Sequence, residues 1–199
     1  MAFLGTAACV PTRPAPCRRG QIWLAVLGCL ALAGSGLAAP AALSREYQVK
    51  AVFLFNFAQF VEWPAAAFPS ADTPLVIGVL GDDPFGDFLD ETVRDEKVGG
   101  RPLQVRRFAS PAQIDLCHIL FISQSESARL EQEVAQLKGR SILTVGETDG
   151  YSKRGVMIRF LTEKNKIRLR INLEAATAGG LRISSKLLRP AEIVRGGMD

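Results

Sequence analysis

The sequence predicts an α/β fold: a single-domain three-layer sandwich around a mainly parallel sheet, with a C-terminal β-hairpin and a closing helix. Three observations carry this. Leu75–Leu80 is a continuous apolar run of strand length and residues 114–122 are a largely apolar one, the pattern of strands covered on both faces. Helical stretches separate such runs, so strands and helices alternate as in βαβ units. Near the end, residues 155–161 and 167–173 flank Glu163-Lys164-Asn165-Lys166, which reads as a hairpin turn.

The elements follow in order from residue 42. Ser44 suits an N-cap, and residues 45–62 contain no Gly or Pro, so a helix is expected until Pro64 stops it. Its middle, residues 51–61, is apolar on nearly every face, as in a helix buried on several sides or shared with a partner. The strand Leu75–Leu80 runs into Gly81-Asp82-Asp83-Pro84, where Asp83 fits a helix cap and Pro84 a first turn. Residues 85–96 then read as helix, 103–108 as a more exposed strand, and 114–123 as a buried strand. Leu130, Val134 and Leu137 give residues 127–137 helical spacing, with Gly139 as the stop. Residues 141–145 are a strand, and residues 174–188 form the closing helix, softened at Gly179-Gly180.

Upstream, the first forty residues hold three arginines, no acid, and an apolar run over residues 21–34. Small residues follow. A basic head, apolar middle and small-residue exit describe a secretory signal peptide. Residues 1–41 are therefore expected to be a cleaved leader, cut after Ala38 or Ala41, with residues 42–199 as one exported, periplasmic domain. An uncleaved anchor, and lipidation at Cys29 in a loose lipobox, are the alternatives; the run is shorter than the roughly 20 residues of a comfortable membrane span.

The leader takes three of the 24 basic residues, leaving 21 against 20 acidic ones. That balance gives no electrostatic case for nucleic acid. Three of the four cysteines lie in the leader as well, leaving Cys117 without an intrachain partner. A buried thiol used as a small hydrophobe is the expectation, with a redox or intermolecular role as the alternative.

Catalytic parts are sparse. The chain has one histidine, His118, and its strand neighbour Cys117 should point to the opposite face, which argues against a thiolate–imidazole pair. No HxxxH, CxxC or DxDxDG spacing signals a metal. Residues 81–86 occupy a strand-to-helix turn but lack the Gly-Lys-Ser/Thr ending of a phosphate loop, and their aspartates would repel phosphate. No catalytic residue, metal or cofactor is expected. Asp82, Asp83 and Glu147 border the crevice where open α/β sheets bind ligands, so they form a candidate ligand rim. Phe53, Phe57, Phe60 and Trp63 are candidate partner anchors if the first helix is shared, with core filling as the alternative. Arg182, Lys186 and Arg189 give the last helix a basic face, suited to an acidic partner or simply solvated.

The string from Glu46 to Phe57, continued by Phe60-Val61-Glu62-Trp63-Pro64, resembles the opening signature of the YfiR-like family of secreted bacterial proteins. Three more segments agree in order: residues 75–85, residues 117–123, and residues 172–176 followed by Leu181 and residues 184–188. The resemblance implies a periplasmic α/β domain that forms a homodimer. It also implies a non-enzymatic repressor that binds the periplasmic part of a membrane-bound diguanylate cyclase and limits cyclic-di-GMP synthesis and biofilm formation. The alternatives are a periplasmic small-molecule binding module and, further off, a metal-assisted hydrolase built on Asp82 and Asp83. Arg159 and Pro190 depart from the family pattern, and some members carry additional cysteines for disulfides that this chain lacks.

Overall fold

A computed structural model describes residues 44–151 and 154–194. The expected leader, residues 1–41, lies outside them. Helix α1 (Arg45–Phe60) is followed by strands β1 (Val61–Glu62) and β2 (Leu75–Leu80), then helix α2 (Asp87–Val93). Strands β3 (Lys97–Val98), β4 (Arg101–Phe108) and β5 (Ile119–Ile122) lead to helix α3 (Leu130–Leu137). Strands β6 (Leu143–Gly146), β7 (Ile158–Glu163) and β8 (Lys166–Asn172) precede helix α4 (Leu173–Ala178). Strand β9 (Arg182–Ile183), helix α5 (Ser185–Leu188) and strand β10 (Glu192–Val194) complete the described chain.

The main sheet has the order β10-β8-β7-β6-β5-β2-β4-β3. Pairs β4–β2, β2–β5, β5–β6, β6–β7 and β8–β10 are parallel; β7–β8 and β3–β4 are antiparallel. The mainly parallel α/β sandwich expected from the apolar runs is the architecture observed. Alternation along the central strands builds two cores. Ile77, Val79, Ile119, Phe121, Leu143 and Val145 face the layer of α1 and α2, whereas Leu80, Leu120 and Ile122 face α3. Gly78 also faces α3, where a Cβ would come within 2.8 Å of Cys117 and Phe108, so the strand admits no side chain there.

Several boundaries differ from expectation, each for a local reason. Helix α2 starts at Asp87 rather than Phe85, because the Asp83 carboxylate accepts the Phe85 N–H (2.7 Å) and stabilises a turn instead of a helix. The first helix ends at Phe60, since Val61 and Glu62 pair with Ile183 and Arg182 in a small antiparallel sheet. That same pairing, after Gly180 at φ +76°, divides the expected closing helix into α4 and α5. The hairpin turn falls at Lys164 and Asn165, both at positive φ, as a two-residue turn of matching twist requires. Residues 111–113 form a 3₁₀ turn, so β5 is confined to Ile119–Ile122. Strand β10, an additional parallel edge, has too short an apolar pattern to announce itself.

Candidate functional site

Three regions hold the residues singled out from sequence: the carboxyl ends of the parallel strands, the outer face of α1, and the stretch from β9 through α5.

At the strand ends, β2 connects towards β4 on one side while the chain returns to β5 on the other, so the switch point lies between β2 and β5. The crevice there is filled. Gly81, at φ +84°, packs so closely that a Cβ would lie 2.6 Å from Glu126 Oε1. The Asp82 N–H donates to Ser125 Oγ at 3.0 Å. Asp82 itself is exposed, and Asp83 accepts from Arg107 Nε (2.9 Å), whose guanidinium also binds Asp90 and holds that carboxyl below its ordinary pKa. Asp82 and Asp83 therefore do not join Glu147.

Glu147 lies two strands away in a different setting. It accepts from the Tyr47 hydroxyl (3.0 Å) and from Lys50 Nζ (2.5 Å), and Lys50 also pairs with Glu46 at 2.6 Å. The Lys50 side chain is 4% exposed, so a buried cation sits between two acids, with its Nζ also over the Tyr47 ring, 4.6 Å from the centroid. Burial, and then the Glu147 charge, push the Tyr47 hydroxyl up to about 12, which keeps it a donor. These groups, with Arg159, Thr162 and Glu163, line an open cavity of about 430 Å³. The buried lysine was missed by sequence reasoning, which read the middle of the first helix as apolar. Its signal was available as a single basic residue on the buried side of an aromatic helix.

On α1, the anchor candidates turn mostly inward. Phe57 is fully buried, stacked on Phe160 with centroids 5.9 Å apart, and is a core residue rather than a surface anchor. Phe53 and Phe60 are half-buried and pack on the same core. Trp63 donates from Nε1 to the His118 carbonyl at 3.1 Å and meets the His118 ring edge-on. The apolar residues that α1 does present to solvent are Val49 (40% exposed) and Val52 (44%), which lie on one helical face with Arg45 and Gln59.

The remaining candidates are placed as follows. Arg182, Lys186 and Arg189 are exposed; β9 carries the first and α5 the second, with Arg189 directly after it, so they do not share one long helix. His118 accepts the Val76 N–H at Nδ1 (3.0 Å) and donates from Nε2 to the Ala67 carbonyl (3.2 Å), which fixes its neutral tautomer. Phe68 stacks on it at 4.4 Å, and burial lowers its pKa. Cys117 points to the other face, among Phe108, Leu120 and Ile122, and burial pushes its thiol up to about 12. That environment suppresses the reactive thiolate.

The segments that build these regions are the ones the family pattern spans, from the first helix to the last strand. The YfiR/HmsC-like family model matches residues 47–192. The chain belongs to the YfiR/HmsC-like family. No curated protein matches it. Arg159 is buried and pairs with Asp149 on the cavity rim. Pro190 lies beyond α5, where the lack of an N–H costs no helical hydrogen bond. Among the described residues, no helix is long and apolar enough to cross a membrane, and no group of three or more His, Cys, Asp or Glu is arranged to hold a metal ion.

Proposed function

We propose that this protein is an exported, non-enzymatic regulator that docks on the periplasmic part of a membrane-bound diguanylate cyclase and restrains cyclic-di-GMP synthesis. Membership of the YfiR/HmsC-like family supports the reading at the level of the whole domain. The single structural observation that carries it further is the outer face of α1. Helix burial normally leaves polar residues outside, yet Val49 and Val52 stand in solvent one turn apart. A small apolar strip rimmed by Arg45 and Gln59 has the chemistry of an interface centre with a polar rim. In this reading the protein acts as a homodimer, and the leader delivers it to the periplasm.

The test is direct binding of the exported domain to the periplasmic part of a membrane-anchored cyclase from the same cell, measured by calorimetry. Saturable binding that weakens on Val52→Glu, with an unchanged melting temperature, supports the proposal; absence of binding at high micromolar concentration refutes the partner.

The cavity beside Lys50 favours a second reading, a small-molecule binding module. A ligand that enters it would raise the melting temperature in a concentration-dependent way. The metal-assisted hydrolase built on Asp82 and Asp83 has no such support, because Asp83 is engaged with Arg107 and the Phe85 N–H.

A further inference from the structure

At the switch point of the sheet, two acids occupy the place where open α/β folds usually receive a ligand. Glu126, in the 3₁₀ turn Gln124–Glu126, and Glu133, on α3, are both 4% exposed. Glu126 lies in the turn ahead of α3 and Glu133 in the helix itself; Arg129 lies between them in sequence and faces both, and their carboxyls are in hydrogen-bond contact. Two ionised carboxylates cannot share such a contact; one proton between them can.

The cations around the pair are too few to neutralise both acids. Arg129 donates from Nη2 to Glu126 Oε2 at 2.5 Å, but its Nε stands 3.8 Å from Glu133 Oε1. No donor among the described residues reaches Glu133 Oε2, although that atom is buried. From the neighbouring elements, Arg154 is turned to Glu131 (3.6 Å) and the Ser127 carbonyl. Tyr151 donates its hydroxyl to the Ser123 carbonyl, and Asp82, after β2, adds a further negative charge. One arginine thus faces two buried acids.

The pair is wired to the rest of the fold. Ser125 Oγ donates to Glu126 Oε1 (3.2 Å) and accepts the Asp82 N–H (3.0 Å), while Gly81 packs against the Glu126 side chain. One hydroxyl thus links the pair to the loop after β2.

We propose that Glu126 and Glu133 form a one-proton binding site that locks the turn after β5 onto the loop after β2. When the proton leaves, Glu133 becomes a second buried anion beside Glu126, the contact turns repulsive, and the turn relaxes away from Gly81 and Asp82, opening the crevice. Burial first, and then the neighbouring Glu126, raise the Glu133 pKa to about 7, so the release falls in a range a periplasmic protein meets. The sign follows from linkage. An acid with a raised native pKa keeps its proton longer folded than unfolded, so its contribution to stability falls as pH rises from about 4.5 to about 7.

The experiment is NMR of the folded protein from pH 5 to 9, following side-chain carboxyl carbons and the exchange of the Asp82 amide. One glutamate titrating near neutrality, with Asp82 protection falling by about tenfold or more across the same interval after correction for intrinsic exchange, is the expected result. Glu133→Gln, which carries a permanent neutral donor, should abolish both changes. Both carboxyls titrating below pH 5.5, or Asp82 protection independent of pH, would overturn the proposal. If Glu133→Gln fails to fold, the wild-type titration alone decides.

Discussion

Helix α1 carries apolar residues on two faces with opposite surroundings. Ala51, Leu54, Phe57 and Ala58 are buried against the sheet, and the neighbouring aromatics Phe53 and Phe60 lean on the same core. Val49 and Val52 face solvent. The aromatic rings therefore lie on the side that stabilises the fold, while Val49 and Val52 lie on the side that faces solvent. The large rings hold area that the sheet can cover completely; the valines hold little area and cost little when exposed.

Substitutions on the two faces should separate stability from docking. The largest effect is expected from Phe57→Ala, which empties a fully buried site stacked on Phe160 and should cost about 3–5 kcal/mol in chemical denaturation. An effect below about 1 kcal/mol would place Phe57 outside the core.

Next comes Lys50→Ala, on the same buried side. It leaves Glu147 buried without its cation, while Glu46 is solvated enough to escape most of the penalty. Breaking a buried ion pair costs about 3–5 kcal/mol, and the partial exposure of Glu46 puts the expectation near the lower end. Lys50→Ala combined with Glu147→Gln should recover part of the loss in a double-mutant cycle; additivity would break the pairing argument.

On the outer face, Val52→Glu should change stability by no more than about 0.5 kcal/mol, because the side chain is already in water. If docking uses this face, the same change costs about 2 kcal/mol of binding, close to thirty-fold in affinity. A loss of stability comparable with Phe57→Ala would erase the distinction between the faces.

The smallest effect concerns pH. His118 is held neutral by its two hydrogen bonds, and burial lowers its pKa below the ordinary 6.5. A base with a depressed native pKa is protonated first in the unfolded chain, so stability is lost as pH falls below about 6.5. A His118→Asn variant measured from pH 7 to 5 should show a flatter dependence; an unchanged slope would show that His118 does not contribute to it.

The contrast also explains what the sequence could disclose. Continuous apolar runs such as Leu75–Leu80 identify parallel strands because both faces of each are covered, and this made the sandwich legible. The opposed placement of Cys117 and His118, expected from alternation, is what the structure has, although both residues stand just ahead of β5 rather than within it. The site was legible only in part. Glu147 follows β6 and lines a cavity, but its partner Lys50 is 97 residues away, and no local pattern encodes that pairing. The same limit applies to α2 and the closing helix, where Asp83 capping a turn and β1 pairing with β9 override local helix propensity. Phe57 was a reasonable anchor by residue type; only the rotation of α1 on the sheet assigns it to the core.

The measurement that bears most directly on the proposed role is cellular cyclic-di-GMP in the native strain, with the gene deleted and then restored as wild type or as Val52→Glu. The account predicts that deletion raises the second messenger, that the wild-type gene lowers it again, and that Val52→Glu does not, although its melting temperature and periplasmic abundance match the wild type. A cyclic-di-GMP level unchanged by deletion would contradict the repressor role outright.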